Sequence, residues 1–311
     1  MSILEVKNIE KHFGKTKVLK DVSFSLDEGN ALAIIGSSGS GKTTLLRCLN
    51  FLEKPNQGSI TVNGETLFDA SNKVKEREDE LRKKRLHFGM VFQSFNLFPQ
   101  YTALENVTLA ERLLAQDSEE FKQDKKAVLA RIEKHGEMLL DQMGLSGRMT
   151  HYPHQLSGGL RQRVMIAMAV ILHPDLIIAD EPTTALDVTI QTQIVELLRE
   201  INQKEQNAML FITHDLNLAR RICHRIIVMK DGIVAEEGET EQIFESPKEA
   251  YTRNLIEAVP SRLKPRVSVK KESNTKVLTV KDLSVYYEDR SNSIFKKKEK
   301  QYAVEHVSFD V

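Results

Sequence analysis

Apolar residues in this chain fall into short runs between polar stretches, and the length of each run decides its reading. Residues 31–35 ("ALAII") and 176–179 ("LIIA") are continuous apolar runs of strand length. That pattern fits parallel strands buried on both faces. Residues 164–172 ("VMIAMAVIL") form a longer run. A membrane span needs about 20 apolar residues, so this run predicts a buried core helix and no crossing of a membrane. Residues 73–87 and 119–134 mix charges of both signs at helical spacing and predict solvated helices. Near the end, "KVLTVKDLSVYY" and "YAVEHVSFDV" alternate or run apolar in the manner of an antiparallel sheet.

Those last two stretches repeat the beginning of the chain. "LEVKNIEKHF" starting at Leu4 aligns with "LTVKDLSVYY" starting at Leu278, and "VLKDVSFSL" starting at Val18 aligns with "AVEHVSFDV" starting at Ala303. Asn8 faces Asp282, Ile9 faces Leu283 and Phe13 faces Tyr287. Spacing and residue type agree over two separated blocks, which marks an internal repeat. The insertion between the blocks of the second copy contains "NSIFKKKEK" and reads as a solvated loop. Pro247, Pro260 and Pro265 exclude one long helix between the copies. The expected organisation is a first domain over 1–245, a linker over 246–276 and the start of a second domain over 277–311.

With 311 residues, 41% hydrophobic and 28% charged, the composition is that of a globular protein with a substantial core. Lys plus Arg and Asp plus Glu are equal at 44 each, so charge gives no reason to expect a nucleic-acid partner. Glu5 and Glu10 interrupt the opening where a signal peptide would need an apolar run. The two cysteines, Cys48 and Cys223, sit in apolar surroundings and read as buried small hydrophobes. His151 and His154 lack a cysteine or carboxylate at ligand spacing and do not read as a metal pair.

The candidate chemistry begins where the first buried strand ends. Gly36-Ser37-Ser38-Gly39-Ser40-Gly41-Lys42-Thr43 fits G-x-x-x-x-G-K-[ST], with an apolar helix expected from Thr44. Glycines let such a loop wrap closely, so that backbone N–H groups and a helix N-terminus meet phosphate oxygens. Lys42 can reach the β- and γ-phosphates and Thr43 can ligate Mg²⁺. Asp180 and Glu181 follow the second buried strand, at the end where open α/β sheets hold ligands. Adjacent strand side chains point opposite ways, which predicts two jobs: Asp180 on Mg²⁺, Glu181 on the attacking water. A third element, "LSGGLRQR" from Leu156, offers Ser157 as the N-cap of a helix beginning at Gly158, a second anion site distinct from the first.

Taken in order, the P-loop, the LSGG segment, the strand ending in Asp-Glu, "TALD" and "FITHD" resemble the nucleotide-binding subunit of ATP-binding cassette (ABC) proteins. The resemblance covers residue 1 to about Tyr251. It implies an α/β P-loop NTPase core with an antiparallel β-subdomain and an inserted helical subdomain. It also implies ATP and Mg²⁺ as cofactors and a head-to-tail pairing of two ATP-binding domains. By the same resemblance Phe13 stacks on adenine, and Gly36 to Thr44 hold the phosphates. Thr43, Gln93 and Asp180 hold the metal, and Glu181, His214 and Gln93 are catalytic. Ser157, Gly158 and Gly159 close over the partner's ATP, and Asp187 signals across the dimer. Leu160 stands where many members have Gln, after the phosphate-contacting residues.

The family's importers work with membrane permease subunits and an extracytoplasmic substrate-binding protein, at the cytoplasmic face of a bacterial membrane. "SFNLFPQYTALENV" from Ser94 carries Phe95, Leu97 and Phe98, more apolar than a loop needs. Permease docking is the favoured reading, with packing under the helical subdomain as the alternative. "RLHFGMVFQSFNLFPQYTALENVTLA" resembles polar-amino-acid uptake ATPases, whereas the chain from Ser157 onward resembles the dipeptide and oligopeptide class. The expected function is ATP hydrolysis coupled to uptake of amino acids or peptides. The alternative is a soluble tandem ABC ATPase that acts on ribosomes or nucleic acid. The repeated opening implies the front piece of a two-cassette chain.

Overall fold

The computed structural model describes residues 2–72, 77–184, 186–258, 278–288 and 300–310. It divides into one unit over residues 1–259 and another over 260–311. The first unit opens with strands β1 (Ser2–Phe13), β2 (Thr16–Asp27) and β3 (Ala31–Ile35), helix α1 (Lys42–Leu49), and strands β4 (Gln57–Val62) and β5 (Glu65–Asp69). Helix α2 (Glu78–Arg85) and strand β6 (Phe88–Val91) lead into α3 (Ala103–Ala115), α4 (Glu119–Gln123), α5 (Lys125–Gln142) and α6 (Gly158–Val170). Strand β7 (Leu176–Asp180), helix α7 (Val188–Glu205), strand β8 (Ala208–Ile212), helix α8 (Leu216–Ile222), strands β9 (Arg225–Lys230) and β10 (Ile233–Glu239), and helices α9 (Thr240–Glu245) and α10 (Ala250–Glu257) complete it.

The strands form two sheets. One is antiparallel, in the order β2-β1-β4-β5; the other runs β10-β9-β3-β8-β7-β6 and is parallel except at β10. Side-chain alternation along the central strands explains why both faces of the second sheet are covered. On β3, Ala31, Ala33 and Ile35 join a core with α6, α7 and α8, whereas Leu32 and Ile34 join a core with α1 and the antiparallel sheet. Strand β7 divides the same way, with Ile177 and Ala179 on the first side and Leu176 and Ile178 on the second. Helices α3 to α6 are inserted between β6 and β7, and α3, α5 and α6 pack on one another. This is the α/β core with an antiparallel sheet and an inserted helical layer that the resemblance implies.

Local chemistry moved several expected boundaries. Helix α1 starts at Lys42 and not at Thr44, because Gly41 (φ +104°) turns the chain at the N-cap. The charged stretch 119–134 spans parts of two helices. Asp124 ends the first and caps the second, accepting from the Ala127 N–H (2.9 Å). The buried helix expected at 164–172 is the second half of α6. The compact unit continues past residue 245 through α10, since Tyr251, Leu255 and Ile256 pack against the core. No helix of the described residues is long and apolar enough to cross a membrane. Pro260, Pro265 and most of "NSIFKKKEK" lie outside the described residues.

In the second unit, β11 (Thr279–Glu288) and β12 (Lys300–Asp310) pair antiparallel. Their register repeats that of β1 and β2. Val280 pairs with Phe309 as Val6 pairs with Phe24, Leu283 with Val307 as Ile9 with Val22, and Tyr287 with Gln301 as Phe13 with Thr16. Left-handed residues recur at Asn8 and Asp21 in the first pair and at Asp282 and His306 in the second. The Asn8 N–H donates to Ser23 Oγ (2.8 Å), and the Asp282 N–H donates to Ser308 Oγ (2.9 Å). The bulges, and the side chains that satisfy them, are therefore shared.

Candidate nucleotide site

The phosphate loop is shaped by close backbone approaches. Gly36 has φ +151°, and a Cβ there would lie 2.3 Å from Met229 O on β9. No side chain fits. The Gly232 N–H donates to Ser40 O (3.1 Å), so the β9–β10 turn supports the loop from below. Helix α1 begins without a side-chain cap, which leaves first-turn N–H groups that the helix itself cannot use. Lys42 folds back over the loop, donating to Gly36 O (2.8 Å) and Ser37 O (2.9 Å). Burial holds its ammonium below the ordinary lysine range, against the opposing charges of Glu181 and Asp180.

A cleft of about 450 Å³ is lined by Gly36, Ser38, Gly39, Gly41, Lys42, Thr43, Thr44, Gln93, Asp180, Glu181 and His214, with Val18 and Ile212. Four separate stretches of sequence, at the ends of β3, β6, β7 and β8, thus meet here, with Val18 of β2 beside them. The expectation that Asp180 and Glu181 point apart is corrected, since both line this cleft. Asp180 is the last residue of β7, and Glu181 has left the strand with φ +46°. A left-handed glutamate is strained, and the strain re-aims its side chain. The neighbouring strand holds the turn, because the Glu181 N–H donates to Ile212 O (2.8 Å).

His214 Nδ1 lies 2.9 Å from Glu181 Oε1, and the Thr184 hydroxyl donates to Glu181 Oε2 (3.0 Å). Both carboxylate oxygens are thereby oriented. Burial pushes the Asp180 carboxyl above the ordinary aspartate range, the Glu181 charge adds to this, and Lys42 opposes it. Such a carboxylate gains from a cation beside it.

Other expected site residues lie elsewhere on the chain. Phe13 is 46% exposed at the end of β1, with Lys11 Nζ 4.8 Å from its ring centroid, and does not line the cleft. Ser40 is buried, with Oγ 3.4 Å from Lys42 Nζ. Ser157 occupies the N-cap position of α6 as expected, but its side chain makes no capping bond. Gly158 and Gly159 pack against the start of α7. A Cβ on Gly159 would sit 2.6 Å from Ile190 Cγ2, and one on Gly158 would sit 3.3 Å from Leu186 Cδ2. Asp187 caps α7, accepting from the Ile190 N–H (3.0 Å). None of these four residues lines the cleft of its own chain.

Phe95 lines an apolar groove of about 220 Å³ with Met90, Met165 and Met168, and Leu97 packs on the core. Phe98 is left 43% exposed. Thr184 and Tyr251 were not singled out in the sequence. A hydroxyl three positions after Glu181 was the available signal for the first. Nothing local signalled the second.

A P-loop, two strand-end carboxylates and a carboxylate-bound histidine in one cleft of an α/β sheet with a helical insertion define an ATP-hydrolysing cassette. The chain belongs to the ABC transporter family, whose pattern matches residues 19–184. It is 39% identical over 287 residues to the methionine import ATP-binding protein MetN of Streptococcus pneumoniae serotype 4, covering 91% of this chain and 78% of that one. To the L-cystine transport system ATP-binding protein TcyN of Escherichia coli K12 it is 39% identical over 257 residues, covering 83% and 98%. Among solved structures, the dimeric post-hydrolysis state of the ATP-binding cassette MJ0796 bound to ADP and Pi matches with a TM-score of 0.62. Its identity is 36%, covering 76% of this chain and 98% of that one. CbiO1 of Clostridium perfringens, part of the ABC transporter complex cbiONQ, matches with a TM-score of 0.68 and 27% identity, covering 79% and 91%. The chain is therefore an ABC-type ATPase that binds ATP and its product ADP.

Proposed function

We propose that this chain powers an amino-acid importer, working at the cytoplasmic face of a bacterial membrane with permease subunits and an extracytoplasmic substrate-binding protein. The names of the methionine and cystine relatives support amino acids over peptides, and import over a soluble ribosome or nucleic-acid role. The observation that carries the ATPase reading is the convergence of Lys42, Asp180, Glu181 and His214 on one cleft.

In this reading the triphosphate lies along the loop N–H groups, with Lys42 turning from the Gly36 and Ser37 carbonyls to the phosphates. Thr43, Asp180 and Gln93 offer oxygen donors that suit a hard cation such as Mg²⁺. Among the described residues no group of three or more His, Cys, Asp or Glu is arranged to hold a metal. When bound, Mg²⁺ would neutralise charge on the phosphates. Glu181 accepts the proton of the attacking water. His214, hydrogen-bonded to that carboxylate, orients it toward the terminal phosphate. Phe13 stacks on adenine. Ser157, Gly158, Gly159 and Asp187 reach the site of a second cassette, which accounts for their lying outside their own cleft. Phe98, exposed three positions after Phe95, faces the permease.

Co-purification from membranes under mild detergent tests the partner reading. A permease and a capture protein for an amino acid are expected. Recovery with ribosomes and no membrane protein would refute it.

Strands β11 and β12 fit the two opening strands of a second cassette. Shared register, shared left-handed positions and shared bulge hydrogen bonds support this. Replacing β1 and β2 by β11 and β12 within the first cassette should preserve a folded, ATP-binding protein. A chimera that fails to fold, while one bearing the opening strands of a relative folds, would oppose it.

A further inference from the structure

Helix α10 lies beyond every ATP-binding motif, yet its second residue touches the phosphate loop. The Tyr251 phenol oxygen accepts the backbone N–H of Ser37 (3.0 Å) and donates to Ser37 Oγ (3.1 Å). Ser37 is the residue after Gly36, where the chain leaves β3 and begins the loop.

The tyrosine is held from several sides. Its ring packs on the core, and Lys230 Nζ at the end of β9 stands 5.1 Å from the ring centroid. The Lys248 and Glu249 N–H groups, just before α10, donate to the two carboxylate oxygens of Glu236 on β10 (2.8 and 3.1 Å). Glu236 is only 7% exposed, so this anchor is not a loose surface pair. The same β9–β10 hairpin supports the loop through Met229 and Gly232. One hairpin thus carries both the floor of the phosphate loop and the helix that reaches over to its first residue.

We propose that Tyr251 is a positioning residue for nucleotide binding: it fixes Ser37 and so presets the phosphate loop before ATP arrives. A loop held in its binding conformation loses less freedom when the ligand binds. The contact acts on affinity for the phosphates. It leaves the chemical step alone, because Tyr251 touches neither Glu181 nor His214. The inference rests on the loop being the phosphate site, and Lys42→Ala tests that separately by abolishing ATP binding.

The test is Tyr251→Phe in the full chain, which keeps the packed ring and removes only the hydroxyl. Net hydrogen-bond contributions correspond to about three- to tenfold in affinity. ATP and ADP binding should weaken by roughly that factor, and KM should rise in step. The kcat at saturating ATP should stay at the wild-type value, and the melting temperature without nucleotide should fall by no more than the few degrees that one lost hydrogen bond costs. A Ser37→Ala variant, which keeps the N–H, should lose less, and the double variant should lose less than the sum. Wild-type ATP affinity in Tyr251→Phe would overturn the proposal. So would a loss of affinity accompanied by equal falls in kcat and melting temperature, the mark of a general structural role.

Discussion

Replacing Gly159 with Ala tests why the LSGG segment ends in two glycines. The backbone at Gly159 is an ordinary helical one, so the reason is space and not conformation. A methyl there would meet Ile190 Cγ2 at 2.6 Å, about 1 Å inside normal carbon–carbon contact. Ile190 is β-branched and sits in the first turn of α7, so it has little rotamer freedom with which to yield. Overpacking of this kind costs about 1–3 kcal/mol. For a domain of this size each kcal/mol lowers the melting temperature by about 2–4 °C. Scanning calorimetry on Gly159→Ala should register that fall, and Gly159→Ala/Ile190→Ala should recover part of it relative to Ile190→Ala alone. ATPase rates of the same proteins separate packing from ligand contact. If Ser157 and Gly158 reach a partner's nucleotide, any displacement of the α6 N-terminus in the single variant lowers turnover, and relief at Ile190 restores it. A Gly159→Ala protein as stable as wild type would refute the steric argument. Full thermal recovery without recovery of turnover would refute the link between α7 packing and activity.

Asp180→Asn should stabilise the nucleotide-free protein at neutral pH while abolishing magnesium-dependent hydrolysis. The folded Asp180 carboxyl titrates above its unfolded value, so its charged form disfavours the folded state. That penalty is absent below the unfolded pKa and complete above the folded one, so the gain in melting temperature should fade as the pH falls through that window. An Asn variant less stable than wild type at neutral pH would contradict the burial argument. Cys48 and Cys223 are both buried, and burial pushes the Cys48 thiol up to about 11 and Cys223 higher still. Neither should react with an aromatic disulfide reagent at neutral pH until the protein is denatured, and rapid labelling of the native chain would count against this core.

The buried strands and the phosphate loop were legible because each depends on neighbours in sequence. An apolar run such as 31–35 has the length of a covered strand, and the positive φ angles of Gly39 and Gly41 are local backbone requirements, whereas the close approach of Met229 at Gly36 is not. The long-range consequences were not legible. Alternation along a strand predicted that Asp180 and Glu181 would point apart, but the left-handed turn at Glu181 depends on Ile212, from a distant strand. Gly159 answers to Ile190, and Ser37 answers to Tyr251, partners that only the fold brings near. Asp124 could have been recognised as a cap, and it divides a charged stretch that its composition alone made look continuous. The repeated opening was visible in residue types, whereas the shared bulges became visible only in the register of paired strands.

In the proposed mechanism Glu181 is the base that activates water, in a cleft completed by a second cassette. The direct test is Glu181→Gln, with ATP turnover and mass by light scattering followed together in the presence of magnesium. Gln keeps the size of the side chain and can still meet Thr184 and His214, but it cannot accept the proton. ATP should bind with wild-type affinity, turnover should fall by about 10²–10⁴-fold, and a dimer with trapped ATP should accumulate. Hydrolysis at the wild-type rate by a monomeric Gln variant would contradict both the assigned base and the paired site.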